Sequence, residues 1–255
     1  CIRDRSGAYH LVYDLAEKIN APVLVSSKAY CCINQHNRMY LGKLGYGYNP
    51  VINDFIIEYQ PDMILSFGSS LGSKDIGNSE LLRLINEIQT YIIADDCTYI
   101  SFRNPNIAGC EVNDMGRFVK NMLDSVDARE EEAGLCEKIS EIRSKAHKYW
   151  ENKILPSDMM ANCIKIVDEF LNENCVVFAD AGNNLANAGV LINPVNSGQM
   201  FIDVGLRAMG TGICTAVGMA IADRKKKYVS ITGDGCMLMN GNVMHIALSL
   251  IHISE

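Results

Sequence analysis

Gly233-Asp234-Gly235 closes the apolar run Tyr228-Val-Ser-Ile-Thr and precedes a stretch with helical spacing. An open α/β sheet places its ligand at such a point, outside the carboxyl end of a strand. The glycines let backbone N–H groups approach an anion closely, and the aspartate can take a hard cation such as Mg²⁺. The combination suits a metal-bound diphosphate. Alone, the triplet is also an ordinary strand-end turn, so its weight depends on its neighbours.

Two further glycine turns stand upstream. Asp180-Ala-Gly-Asn-Asn184 follows the apolar run Cys175-Val-Val-Phe-Ala. Gly205-Leu-Arg-Ala-Met-Gly-Thr-Gly212 opens a helix of small residues, Ile213 to Ala222. In a parallel sheet all three turns can converge at one edge. Plainer roles exist for each residue. Asn183 and Asn184 are good turn formers. Met209 can be a core residue, and the glycines can serve close helix–strand packing.

The elements that must position these turns repeat along the chain. Tyr9 to about Asn20 has the apolar spacing of an amphipathic helix. Strands are predicted at Ala21–Ser26, Met63–Gly68, Thr90–Asp95 and Ile107–Val112, with Tyr40–Tyr48 as a glycine-bearing loop. Helices are predicted from Asn49-Pro50 to Tyr59, Leu81 to Ile88 and Met115 to Val126. Asp127 to Asn152 is polar, with Glu130, Glu131 and Glu132 on a solvated face. It reads as a linker helix from Ala133 to Trp150. A second series follows: helix Met159–Leu171, strand Cys175–Asp180, helix Ile213–Ala222 and the Gly-Asp-Gly strand. The fold class is α/β, with two doubly wound parallel-sheet domains. The expected division is residues 7–127, a linker at 128–156, and residues 157–248. A strand is expected before Tyr9. Residues 1–6 and 249–255 are read as non-native ends, so His252 and Glu255 are assigned no chemistry.

Composition narrows the classes. The net charge of −7 argues against a general nucleic-acid binder. Arg224-Lys-Lys-Lys227 reads as a solvated helix-to-strand turn. The ten cysteines form no CxxC pair, which points to reduced thiols in a cytoplasmic protein. No apolar run reaches the roughly 18 residues of a membrane span.

With its three turns in this order, the chain resembles thiamine-diphosphate-dependent enzymes of the acetolactate synthase and pyruvate oxidase group. The first half is similar to that family's Rossmann-like middle domain at Tyr40-Leu-Gly-Lys-Leu-Gly-Tyr-Gly47 and Asp62-Met-Ile-Leu-Ser-Phe-Gly68. The second half is similar to the first part of its diphosphate-binding domain. The resemblance implies that Asp234 is a Mg²⁺ ligand and that Gly233, Gly235 and Cys236 line the diphosphate through their backbones. Gly182, Asn183 and Asn184 would touch the same diphosphate. Met209 would wedge between the two rings of the cofactor, with Ala208 and Gly210 offering backbone groups to the aminopyrimidine.

The same resemblance implies a 2-oxo acid substrate, acetolactate-type carboligation as the default reaction, and a parent that is a homodimer or homotetramer. A decarboxylase or oxidase of the family is the alternative. The family's second metal ligand, an Asn, falls beyond Glu255, and its glutamate that protonates the cofactor lies in a preceding domain. The chain alone is therefore expected to be inactive, with no catalytic residue of its own. At Ser69–Asp75 the family's Arg-Phe-Asp-Asp type segment is replaced, which speaks against FAD. Phe201–Gly205 also departs from the usual approach to the Met turn, leaving the 2-oxo acid open. A nucleotide-binding module or a non-catalytic structural homologue remains the reading from another class.

Overall fold

The computed structural model describes residues 7–69, 71–96, 106–130, 134–203 and 205–252. Residues 1–6, 70, 97–105, 131–133, 204 and 253–255, among them Glu131, Glu132 and Ala133 of the expected linker, lie outside them. The chain divides into two compact units, Cys1–Lys153 and Ile154–Glu255.

The first unit runs α1 (Tyr9–Ile19), β1 (Val23–Val25), β2 (Tyr40–Lys43), α2 (Pro50–Tyr59), β3 (Met63–Phe67) and α3 (Ser73–Ile76). It continues with α4 (Ser79–Glu87), β4 (Gln89–Ala94), β5 (Ile107–Glu111), α5 (Met115–Ser125) and α6 (Leu135–Glu151). β1 pairs with β2, and β3, β4 and β5 form a separate ladder in that order. Every pairing is parallel. Helix starts follow their sequence signals. Asn49 caps α2 ahead of Pro50, Asn78 caps α4 and Asp114 caps α5, each accepting from first-turn N–H groups. Such a cap is worth about 1 kcal/mol. Leu15, Phe67, Ile93 and Val119 form one buried cluster, and Met39, Leu41, Ile52, Leu81 and Ile139 belong to another.

Two expectations are corrected here. Tyr40–Tyr48 is not all loop: Tyr40–Lys43 is a wholly buried strand and Gly45–Gly47 a short 3₁₀ turn. Gly42 serves packing, since a Cβ there would run into Ile52 of α2. The buried Tyr30 hydroxyl donates to Leu44 O at 2.7 Å and accepts from Gly47 N, pinning the segment. The helix expected to link the domains is instead part of the first unit. Leu135, Ile139 and Ala146 of α6 enter the same core as Leu41 and Ile52. Asn49 Nδ2 donates to Ala146 O at 2.7 Å, and Arg143 reaches Gln35 O at 2.9 Å. Its charged residues face outward, but a narrow apolar stripe is enough to dock it.

The second unit runs α7 (Met159–Phe170), β6 (Cys175–Ala179), α8 (Asn183–Leu191), β7 (Met200–Ile202), α9 (Thr211–Ala222), β8 (Lys227–Ile231), α10 (Asp234–Asn240) and α11 (Val243–His252). Its strands form a parallel sheet in the order β7-β6-β8. All five residues of β6 are buried, as a continuous apolar run in a central parallel strand should be. Phe178 of β6 stacks on Phe201 of β7 at 5.4 Å and on Tyr228 of β8 at 6.4 Å between centroids, tying the three strands together. Helix α9 packs on β6 and β8. Among the described residues no helix is long and apolar enough to cross a membrane.

Candidate functional site

Each strand of the second unit runs into a turn from which a helix leaves, so α8, α9 and α10 all start at the carboxyl edge of one sheet. Asp180 N donates to Ile231 O at 2.9 Å, which ties the ends of β6 and β8 together. The three helices begin at Gly182, Gly210 and Gly233, and none has a side-chain cap. The N–H groups of their first two residues have no intrahelical acceptor and are of the kind that can meet an anion, whereas Leu185 N in the first turn of α8 already donates to Gly182 O. Gly182 at φ 109° and Gly210 at φ 85° take conformations that L side chains avoid. Arg207 at φ 55° is also left-handed, a conformation costing on the order of 1 kcal/mol or more.

The turns touch one another. A Cβ on Gly233 would fall 2.6 Å from Asn184 Nδ2, so the start of α10 sits directly against α8. A Cβ on Gly235 would lie 4.0 Å from Met209 Sδ. Asn240 Nδ2 of α10 donates to Met209 O at 3.4 Å. The Cys236 thiol donates to Ala181 O at 3.3 Å. Gly210 N and Ala181 N both donate to Asp180 Oδ1, each at 2.9 Å. Gly212 lies flush against Asp180, where a Cβ would meet Asp180 N and Cβ at 3.1 Å.

The sequence-predicted residues are thus gathered at one edge. Asp234 is exposed as the first residue of α10, and Gly182, Asn183 and Ala208 are exposed as well. Met209 is 47% exposed, so it is not a core residue of this unit. Asn183 and Asn184 are not turn residues but the first two residues of α8, and Asn184 is buried beneath Gly233. Cys236 points inward, where burial pushes its thiol pKa up and the Asp180 carboxylate adds to the shift. Two residues of the arrangement escaped the sequence reading as site residues, Asp180 and Asn240. The signal for the first was available: an acidic residue directly after five buried apolar ones.

The donor set bears on a metal. Among the described residues no group of three or more His, Cys, Asp or Glu could hold an ion. Asp234 offers a single exposed carboxylate. That fits Mg²⁺, which is commonly held by one or two carboxylates plus phosphate oxygens and water. In the first unit the stretch expected to diverge from a flavin segment, Ser69–Asp75, carries a buried Asp75 whose Oδ2 lies 3.4 Å from Lys28 Nζ.

Comparison with known proteins agrees with this geometry. Residues 180–251 match the family model for the C-terminal TPP-binding domain of thiamine pyrophosphate enzymes. The chain is 22% identical over 250 residues to the "Probable acetolactate synthase large subunit" of Methanococcus aeolicus, covering 92% of this chain and 41% of that protein. It is 24% identical over 248 residues to the acetolactate synthase large subunit of Cyanidium caldarium, covering 92% and 40%. It is 23% identical over 227 residues to the chloroplastic acetolactate synthase of Arabidopsis thaliana, covering 86% and 32%. The chain spans about a third to two fifths of the length of these relatives.

Proposed function

Because the chain belongs to the thiamine-diphosphate-dependent, acetolactate synthase-like family, of whose members it spans part, we propose that it carries the diphosphate half of a thiamine diphosphate site. The parent is a Mg²⁺-dependent enzyme acting on a 2-oxo acid, by decarboxylation with carboligation. The observation that carries this reading is the meeting of three uncapped, glycine-started helices beside the exposed Asp234.

When bound, the cofactor supplies the electron sink for loss of CO₂. The chain's residues hold and orient it. The backbones of Gly182, Asn183, Gly233, Gly235 and Cys236 would take the diphosphate, with Asn184 supporting from below Gly233. Asp234 would hold a Mg²⁺ beside the diphosphate, whose charge the ion would offset. Met209 would support the rings, with Ala208 and Gly210 on either side. FAD is not part of this reading. The reading includes a cytoplasmic setting, in keeping with ten cysteines that form no CxxC pair. It also includes a homodimeric or homotetrameric parent. Leu238, at 86% exposed, leads a set of open apolar side chains on α10 and α11 that suits burial against further polypeptide. A decarboxylase or oxidase of the same family is the second reading, and the departure at Phe201–Gly205 from the family's usual approach to the Met turn leaves the 2-oxo acid open.

The test uses the full-length protein expressed from its gene. With thiamine diphosphate and Mg²⁺ it should consume a 2-oxo acid and release CO₂. Asp234→Asn should lower that rate on the order of 100-fold, because a metal contributes several kcal/mol of charge stabilisation. A well-folded full-length protein that shows no Mg²⁺-dependent binding of thiamine diphosphate would sink the proposal. The 255-residue chain alone is expected to bind the cofactor weakly or not at all.

A further inference from the structure

We infer that Asp180 is a positioning residue, which acts with Asn240 to fix the turn that presents Met209. The inference rests on the reading of Met209 as support for the cofactor rings.

Asp180 is fully buried, and none of the ion pairs among the described residues includes it. Its Oδ1 accepts from Ala181 N and Gly210 N at 2.9 Å, while its Oδ2 is buried with no hydrogen-bond partner. A carboxylate so placed is a poor way to stabilise the end of a strand. An apolar residue would fill the space without the desolvation cost. What the carboxylate gains is a long-range bond. Helix α9 has no side-chain cap of its own, and Asp180, thirty residues earlier in the chain, takes the N–H of its N-cap residue. Gly212 lets α9 close against Asp180, since a Cβ there would meet Asp180 backbone at 3.1 Å.

The peptide unit that joins Met209 to Gly210 is thereby held at both its polar ends. Its own carbonyl accepts from Asn240 Nδ2, and the next N–H is bound by Asp180. Methionine is a flexible side chain with three rotatable bonds. Fixing that peptide plane anchors the backbone from which the side chain leaves, while its thioether stays near Gly235 and half exposed. The clamp joins the three turns, because Asp180 comes from the end of β6 and Asn240 from α10.

Hydrogen exchange and Met methyl NMR on the 255-residue chain test this without any cofactor. In Asp180→Ala the Gly210 amide should exchange about tenfold or more faster. The Met209 methyl resonance should move, while amides in the middle of β6 keep their protection. Asp180→Asn retains an acceptor oxygen and should restore both signals. Unchanged Gly210 exchange in Asp180→Ala overturns the inference, and so does Asp180→Asn behaving as Asp180→Ala. If Asp180→Ala does not fold, the unaltered chain decides. Its Gly210 amide should be protected on the order of 100-fold over an unstructured peptide, and an unprotected amide overturns the inference. Protection with the expected variant pattern, in a parent that binds no thiamine diphosphate, would refute the proposed function alone. A cofactor-binding parent with a freely exchanging Gly210 would refute only the clamp.

Discussion

Alanine at two glycines of α9 should have opposite effects on stability. Gly218 lies in the helix interior, exposed, with nothing within 4 Å of an added Cβ. Gly218→Ala should stabilise the second unit by about 0.8–1 kcal/mol, the helix-propensity difference. Gly212 lies in the first turn, where an added Cβ would sit 3.1 Å from Asp180 Cβ and N and 3.2 Å from its Cα. Carbon contacts are best at about 3.5–4.0 Å, and Asp180 is held by its N–H bond to Ile231 O. The backbone cannot simply step aside, so overpacking of about 1–3 kcal/mol applies. That outweighs a propensity gain that is smaller near a helix end. The two variants should therefore differ by about 1.5–3.5 kcal/mol, a separation in urea midpoint on the order of 1 M. The assay is urea unfolding followed by far-UV circular dichroism. Trp150, the single tryptophan, sits in the first unit and should report no matching shift. Equal stabilisation by both substitutions would refute the close approach of α9 to the end of β6, and with it the convergence of the turns.

Three further outcomes are expected. Ile139→Ala should cost about 2–5 kcal/mol, read by Trp150 fluorescence in urea, because Ile139 is fully buried in the first unit's core. A change within about 0.5 kcal/mol would mean that α6 is a loose linker after all. Tyr13, Tyr30 and Tyr40 are buried, and burial raises all three hydroxyls above their ordinary value of 10.0. Tyrosines in the unfolded chain ionise first. Stability is therefore complete below pH 10 and lost as the pH rises beyond it, by up to about 1.4 kcal/mol per pH unit for each residue. All eleven tyrosines ionising near pH 10 in a still-folded chain, by ultraviolet absorbance, would contradict this. Asp234→Asn should leave the thermal midpoint of the chain nearly unchanged, within about 1 kcal/mol, because Asp234 is exposed. A large loss would make it a structural residue.

The alternation of strand and helix was legible wherever a run was long or sharply bounded. Cys175–Ala179 is apolar throughout and stops at a charge, and β6 has those bounds. Asn49-Pro50 marks a helix start, and α2 begins there, while the apolar spacing from Met115 gives α5. Short or weakly biased elements were not legible. β2 carries a glycine mid-strand and reads as a loop until β1 pairs with it. α8 is rich in Asn, Ala and Gly, and its asparagines and glycine are poor helix formers. It is held by packing against α7 rather than by propensity. β7 has three residues and no pattern of its own. The charges of α6 hid a stripe made by Leu135, Ile139 and Ala146. At the site, residue types were readable and partnerships were not. That Asp180 binds Gly210 depends on how β6 and α9 come together, which no local spacing encodes.

Glycine starts are not confined to the site, since α3 and α6 of the first unit also begin at uncapped Gly72 and Gly134, but only at the sheet edge of the second unit do three of them meet. Helices α2, α4, α5 and α7 start at Asn or Asp, whose side chains bind first-turn N–H groups. Helices α8, α9 and α10 start at glycine. An Asn or Asp cap there would occupy the N–H groups an anion needs, and an aspartate would repel the anion as well. Glycine at the cap costs only a few tenths of a kcal/mol relative to those residues, so leaving three helix starts open is a small loss to the fold. The open starts alone would be loose. Cross-bonds between the turns, Asp180 to Gly210, Asn240 to Met209 and Cys236 to Ala181, hold the turns against one another without capping side chains. The edge is therefore both accessible and held in shape before any ligand arrives, and a site that must present several N–H groups to one anion needs that combination.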